Sequence, residues 1–286
     1  MYEKIIIGYD DSEFSRAAVC EASGWIRRHG GTAILAHAVF FSEEEFISMP
    51  DQREQRFKLG SNMCSIARDD MSEKLGLNGN LLTVVCEGEP HEVLVDIART
   101  KNADLIALGT HGRKGIKKIF MGSVTSRVLQ SSPCDVLIVK KSGDCDGQYQ
   151  SILLSYDGSP FSKKALSRAC ELAKIDGSNV TALYVIPRYE EMVEFISSSS
   201  IRENIAIDAR KVLAEAVNFA TALGVTLKTE IADGIEAEKI VETARKLKSD
   251  LIIKGTHGWI GFNKAIIGSV IENVIINAPC PVLAVR

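Results

Sequence analysis

Two stretches carry the residues whose types and spacing suit chemistry, GTHGRKGIKKIFMGS at residues 109–123 and GTHGWIGFNKAIIGS at residues 255–269. Each sets a pair of glycines three apart, Gly109 and Gly112 or Gly255 and Gly258, and ends on a Gly-Ser pair, Gly122-Ser123 or Gly268-Ser269. Glycines remove side chains where backbone must come close to phosphate oxygens. A helix opening at Gly-Ser offers unbonded N–H groups and the positive end of its dipole. The chemistry these features suit is a phosphate cradle. Neither loop is a Walker A, which needs GxxxxGK[ST], and neither is a GxGxxG directly after a first strand. A single loop of this kind would read only as a turn. Two at matching spacing call for an internal repeat.

The repeat extends along the whole chain. KIIIGYDDSEFSRAA matches SILLSYDGSPFSKKA, ADLIALGTHG matches SDLIIKGTHG, and SSPCDVLIVK matches NAPCPVLAVR, in step except for one residue gained or lost between them. The expected organisation is one domain over 1–140, a polar linker, KSGDCDGQYQ, over 141–150, and a second domain over 151–286. A chain of 286 residues suits two ordinary domains, each able to bury its own core.

Within a repeat, KIIIGY is a short β-branched run of the kind buried on both faces of a sheet, and SEFSRAAVCEASGWIRRHG follows at helical spacing. In the second copy Ser159 is an N-cap and Pro160 suits the first helical position. Helical periodicity returns over 53–75 and 202–223, after the segments in which the copies differ most. The resulting βαβαβαβαβ order predicts an α/β fold, a parallel sheet with helices on both faces, because parallel strands need crossovers. Ligands bind such sheets at the carboxyl ends of the strands. Asp10 and Asp157 close the first strand of each copy, and the glycine loops close the fourth. If those strands are neighbours, carboxylate and loop face one crevice. A carboxylate does not favour phosphate, so Asp10 belongs at the sugar or base end, accepting from ribose hydroxyls. Arg113, Lys114, Lys117 and Lys118 in the first loop would favour a polyphosphate more than Lys264 alone in the second.

Composition narrows the alternatives. A net charge of −3 gives no global attraction to nucleic acid or to an anionic membrane. No apolar run is long enough to span a bilayer and the start lacks a signal-peptide pattern, so the cytoplasm is the expected compartment. Seven cysteines without a CxxC pair suggest neither a disulfide framework nor a zinc site. His111 and His257 lie inside the loops with no carboxylate or second histidine at ligand spacing, so they shape the loop or face phosphate. His37 reads as a strand residue.

With these residues in place, the chain resembles the universal stress protein family in its tandem two-domain form. The resemblance rests on G-x2-G-x9-G-S after the fourth strand, Asp after the first, GEPHEVLVDIA leading the third helix and SSPCDVLIVK at the end. It implies two Rossmann-like (HUP-type) five-stranded parallel sheets of order 3-2-1-4-5, and binding of ATP or AMP, with Mg2+ accompanying ATP. It also implies that Ala38 contacts adenine through its backbone, that Gly109 and Gly112 line ribose and phosphates, and that Gly122, Ser123, Val124 and Thr125 hold phosphates. The second copy maps to Asp157, Val185, Gly255, Gly258, Gly268, Ser269 and Val270. That copy departs from the pattern at Lys254 (Leu108 in the first), at Ile271 (Thr125) and at DGIEAEKI, which lacks Gly-x-Pro. Repeat one is therefore expected to prefer ATP, while repeat two binds weakly, or binds AMP, or uses Trp259 and Phe262 for packing.

The expected function is a nucleotide-binding stress regulator or sensor and not an enzyme. The alternatives are a weak ATPase or nucleotidyl-transfer enzyme and a non-binding scaffold. In single-domain relatives the final strands, here VLIVK and VLAVR, form the dimer contact, which implies an intrachain pseudo-dimer of the two copies, with a homodimer of chains as a further step open to it.

Overall fold

The structure, a computed structural model, describes residues 2–41, 50–77, 79–112, 121–140, 146–187, 199–258 and 268–286, without the side chains of 50, 51, 75 and 199–202. Contacts divide the chain into two units, Met1–Gln148 and Tyr149–Arg286.

The first unit runs β1 (Lys4–Gly8), α1 (Glu13–His29), β2 (Thr32–Val39), α2 (Pro50–Leu75), β3 (Leu81–Glu87), α3 (Pro90–Lys101), β4 (Leu105–Gly109), α4 (Ser123–Ser131) and β5 (Asp135–Val139). Its strands lie in the order β3-β2-β1-β4-β5, with β1 parallel to both β2 and β4. The apolar run of β1 is needed because the strand is central: Ile5, Ile6 and Ile7 are fully buried. Helices α1 and α2 pack together, as do α3 and α4, giving a layer on each face. Ser12 caps α1, its hydroxyl accepting from the Ser15 N–H at 3.1 Å, and Gly30 ends it.

The second unit repeats the plan as β6 (Ser151–Ser155), α5 (Pro160–Asp176), β7 (Asn179–Pro187), α6 (Ser199–Ala222), β8 (Leu227–Gly234), α7 (Glu236–Lys246), β9 (Leu251–Gly255), α8 (Ser269–Asn277) and β10 (Val282–Val285). The order β8-β7-β6-β9-β10 is again that of a doubly wound sheet. Ser159 caps α5 by accepting from Ser162 N–H at 3.2 Å, with Pro160 in the first turn. Both five-stranded parallel orders agree with the expectation drawn from the sequence.

Cys20 on α1 is disulfide-bonded, a single bond and not the disulfide framework that the cysteine pattern argued against. Cys64, Cys86, Cys134, Cys170 and Cys280 form no disulfide, and Cys145 lies outside the described residues. Among the described residues no helix is long and apolar enough to cross a membrane.

Candidate functional site

Strands β1 and β4 are direct neighbours, Ile7 opposite Ala107, so their carboxyl ends open side by side. Between them lies a cavity of about 540 Å³, within the usual size of small-molecule sites. Asp10, Ala38, Gly109, Gly112, Gly122, Ser123, Val124 and Thr125 all line it. The structure thus brings together residues that lie more than a hundred positions apart, Asp10 and Thr125 among them. Arg113, Lys114, Lys117 and Lys118 lie outside the described residues, as do Trp259, Phe262 and Lys264 in the other copy.

Asp10 is set by an Asx turn. Its Oδ1 accepts from the Ser12 N–H at 3.1 Å and from the Ser12 hydroxyl at 2.7 Å, while Ser15 Oγ accepts from the Asp10 N–H at 3.3 Å. Its other oxygen, Oδ2, faces the glycine loop: a Cβ built on Gly112 would stand 2.7 Å from it. A side chain at 112 would enter the crevice and displace the carboxylate. Gly109 has a different role. A Cβ there would stand 2.5 Å from Phe14 Cβ and 2.6 Å from the Phe14 carbonyl carbon, so its missing side chain makes room for α1.

The start of α4 has donors of the kind that an anion takes. Its N-cap, Gly122, has no side chain to cap the first turn, which leaves the N–H groups of Ser123, Val124 and Thr125 for a ligand. Gly122 N–H donates to the Thr110 carbonyl at 2.9 Å, tying the end of the loop to its beginning. The Thr125 hydroxyl donates to the Gly109 carbonyl at 2.8 Å, so its one proton is committed to the fold and only its backbone N–H is left as a donor at the helix start. Thr125→Val is therefore expected to lower stability by about 1 kcal/mol while changing nucleotide affinity less than threefold, roughly the loss of one net hydrogen bond and nothing in the site. Thermal melts with titration of the same preparation check it.

Sequence reading missed the apolar floor. Leu94 and Leu108 are buried and line the cavity with Gly8 and Pro90. A Cβ on Gly8 would overlap Leu108 Cδ2 and come within 3.1 Å of Leu94 Cδ1, so the leucines close over that glycine. His37 also lines the cavity. Its Nδ1 is 2.7 Å from the Tyr9 carbonyl, which can only accept, so Nδ1 carries a proton. The signal for Leu108 was its place beside Gly109; that of His37 was its place beside Ala38. Tyr9 donates to Asp11 Oδ1 at 2.8 Å, and burial together with that carboxylate pushes its phenol up to about 12. His111, packed on Phe14 at 5.2 Å, borders the same space.

The second copy keeps the scaffold. Asp157 Oδ1 accepts from the Ser159 N–H at 2.9 Å, and a Cβ on Gly258 would be 3.1 Å from Asp157 Oδ2. Gly255 makes room for Phe161 as Gly109 does for Phe14, with a built Cβ 2.7 Å from Phe161 Cβ. Val185 lies in β7, and Ser269 and Val270 open α8 after Gly268. The first turn is looser, the Glu272 N–H reaching the Gly268 carbonyl at 3.4 Å against 2.9 Å for Ser126 and Gly122. Its floor is polar. Lys254, opposite Ser155 in the β6–β9 register, donates to Glu236 Oε1 at 2.7 Å and to Ser155 Oγ at 3.3 Å. Burial, with Asp157, Asp208 and Glu236, raises the Tyr184 phenol. Among the described residues, no cluster of three or more His, Cys, Asp or Glu is placed to hold a metal.

A family model described as the universal stress protein family matches residues 1–140 and again 148–286. A universal stress protein of Methanocaldococcus jannaschii is 36% identical over 144 residues, covering 48% of this chain and 82% of that protein. One of Mycolicibacterium smegmatis is 25% identical over 301 residues, covering 99% of this chain and 96% of its own. A solved universal stress protein of Archaeoglobus fulgidus superposes with a TM-score of 0.76 at 19% identity, over 100% of this chain and 99% of that one.

Proposed function

We propose, for a chain that belongs to the universal stress protein family with two tandem domains, that the crevice of the first domain binds an adenine nucleotide and that the bound nucleotide serves as a regulatory signal. The observation that carries this is the convergence of Asp10 Oδ2, the close-approach glycine Gly112 and the uncapped start of α4 around one cavity of about 540 Å³. The residues fit such a ligand. Leu94, Leu108 and Pro90 offer an apolar surface to a base, Asp10 offers an acceptor to ribose hydroxyls, and Ser123, Val124 and Thr125 offer N–H donors to phosphate. Ala38, at the end of β2, borders the base end through its backbone. Mg2+ would arrive with ATP, held chiefly by the phosphates.

The chain's own work in this reading is binding and orientation. Ser12 fixes the Asp10 carboxylate, and Thr110 holds Gly122 in line for the helix start. Isothermal titration with ATP and with AMP tests the proposal. Saturable binding of at least one of them is expected, and a chain that takes up neither would refute the reading. Steady hydrolysis abolished by changing one crevice side chain would replace the signal role with an enzymatic one.

A further inference from the structure

The two crevices share their scaffold and differ in their floors, and the difference is concentrated in three positions that touch one another. In the first unit Gly8 at the end of β1, Leu108 at the end of β4 and Pro90 at the start of α3 line an apolar floor. In the second unit the same three places hold Ser155, Lys254 and Glu236. There Lys254 spans from Ser155 Oγ to Glu236 Oε1, and its side chain is only 13% exposed.

We propose that the Lys254–Glu236 pair is the specificity determinant that closes the second crevice to the adenine ring, so that one chain binds one nucleotide. The inference rests on the adenine-nucleotide reading of the first crevice. A flat aromatic base gains by covering apolar carbon. Over Lys254 and Glu236 it would cover an ion pair instead, and a buried pair loses strongly when its remaining water is removed without a new partner. The three changes depend on one another. Serine at position 8 would meet Leu108 Cδ2, so a leucine-lined floor requires glycine there, whereas lysine gains a hydrogen-bond acceptor from serine.

The test transplants the floors. Gly8→Ser, Pro90→Glu and Leu108→Lys made together in the first unit are expected to weaken ATP binding by roughly thirtyfold or more, the scale of a site faced with the wrong polarity. In the second unit, Ser155→Gly, Glu236→Pro and Lys254→Leu made together are expected to raise the number of bound nucleotides per chain from one to two. A neutral pair close in shape, Lys254→Met with Glu236→Gln, gives the same readout without disturbing the helix start. Circular dichroism confirms that each variant is folded. Two nucleotides bound with like affinity by the unaltered chain would overturn the inference, as would a count that stays at one in the neutral-pair variant. No nucleotide in either crevice of the unaltered chain would instead overturn the parent reading.

Discussion

Gly109→Ala is expected to destabilise the first unit by about 3 kcal/mol, the upper part of the range for overpacking a well-filled site. The added methyl would stand 2.5 Å from Phe14 Cβ and 2.6 Å from the Phe14 carbonyl carbon. Those atoms are the root of a side chain and the backbone of α1, so no rotamer change relieves the contact. Helix α1 would have to lift from β4, the strand it covers most closely. For a unit of this size, such a loss lowers the melting temperature by roughly 10 °C, and it is a large share of the 5–15 kcal/mol that typically holds a domain folded. Gly268→Ala is the control. Among the described residues its nearest neighbour to a built Cβ is the Thr256 carbonyl oxygen at 3.8 Å, ordinary contact, so its effect should stay within about 0.5 kcal/mol. Calorimetry on the two variants separates a packing glycine from a tolerant one.

Gly112→Val should do the reverse: little harm to folding and a loss of adenine-nucleotide affinity of about a hundredfold, or roughly 2.7 kcal/mol. The atom that a Cβ would meet is Asp10 Oδ2, at 2.7 Å, and among the described residues nothing else comes nearer than 3.9 Å. A carboxylate can turn aside, giving up its bonds from Ser12, while the Ser12 cap of α1 stays in place, so the fold loses less than if backbone had to move. In doing so it abandons the position from which it would accept from ribose, and the branched side chain fills the space between Asp10 and the start of α4. Titration calorimetry with a matched melt reads both halves. A variant that binds ATP as well as the parent, or that fails to fold, would contradict this division of labour between two glycines three residues apart.

That division was not legible in the sequence, and the reason is physical. Spacing marks Gly109 and Gly112 as equals, but a strand ending under a helix turns the missing side chain of Gly109 toward Phe14 and that of Gly112 toward Asp10. What could be read was what depends on local pattern: the buried run Ile5–Ile7, the Ser159 cap with Pro160 behind it, the doubled loops, and the carboxylates at the ends of the first strands. The strand order came through resemblance, and the β1–β4 neighbourhood then follows. The floor of the site escaped because it is made between strands. Leu108 closes over Gly8, and Lys254 crosses Ser155 to Glu236, contacts that only the register across the sheet creates. Likewise the donation of the Thr125 hydroxyl to the Gly109 carbonyl joins a helix start to a strand end, which no local pattern shows. The charge contrast between the two loops falls on residues 113–120 and 259–267, outside the described residues.

The central claim is that the first crevice holds an adenine nucleotide. Native mass spectrometry of the full chain, purified gently and then supplied with ATP, tests it most directly. The account predicts a species heavier than the chain by one adenine nucleotide, absent from the Gly112→Val variant. A chain that stays bare at saturating ATP, or a variant that carries the nucleotide undiminished, would contradict it.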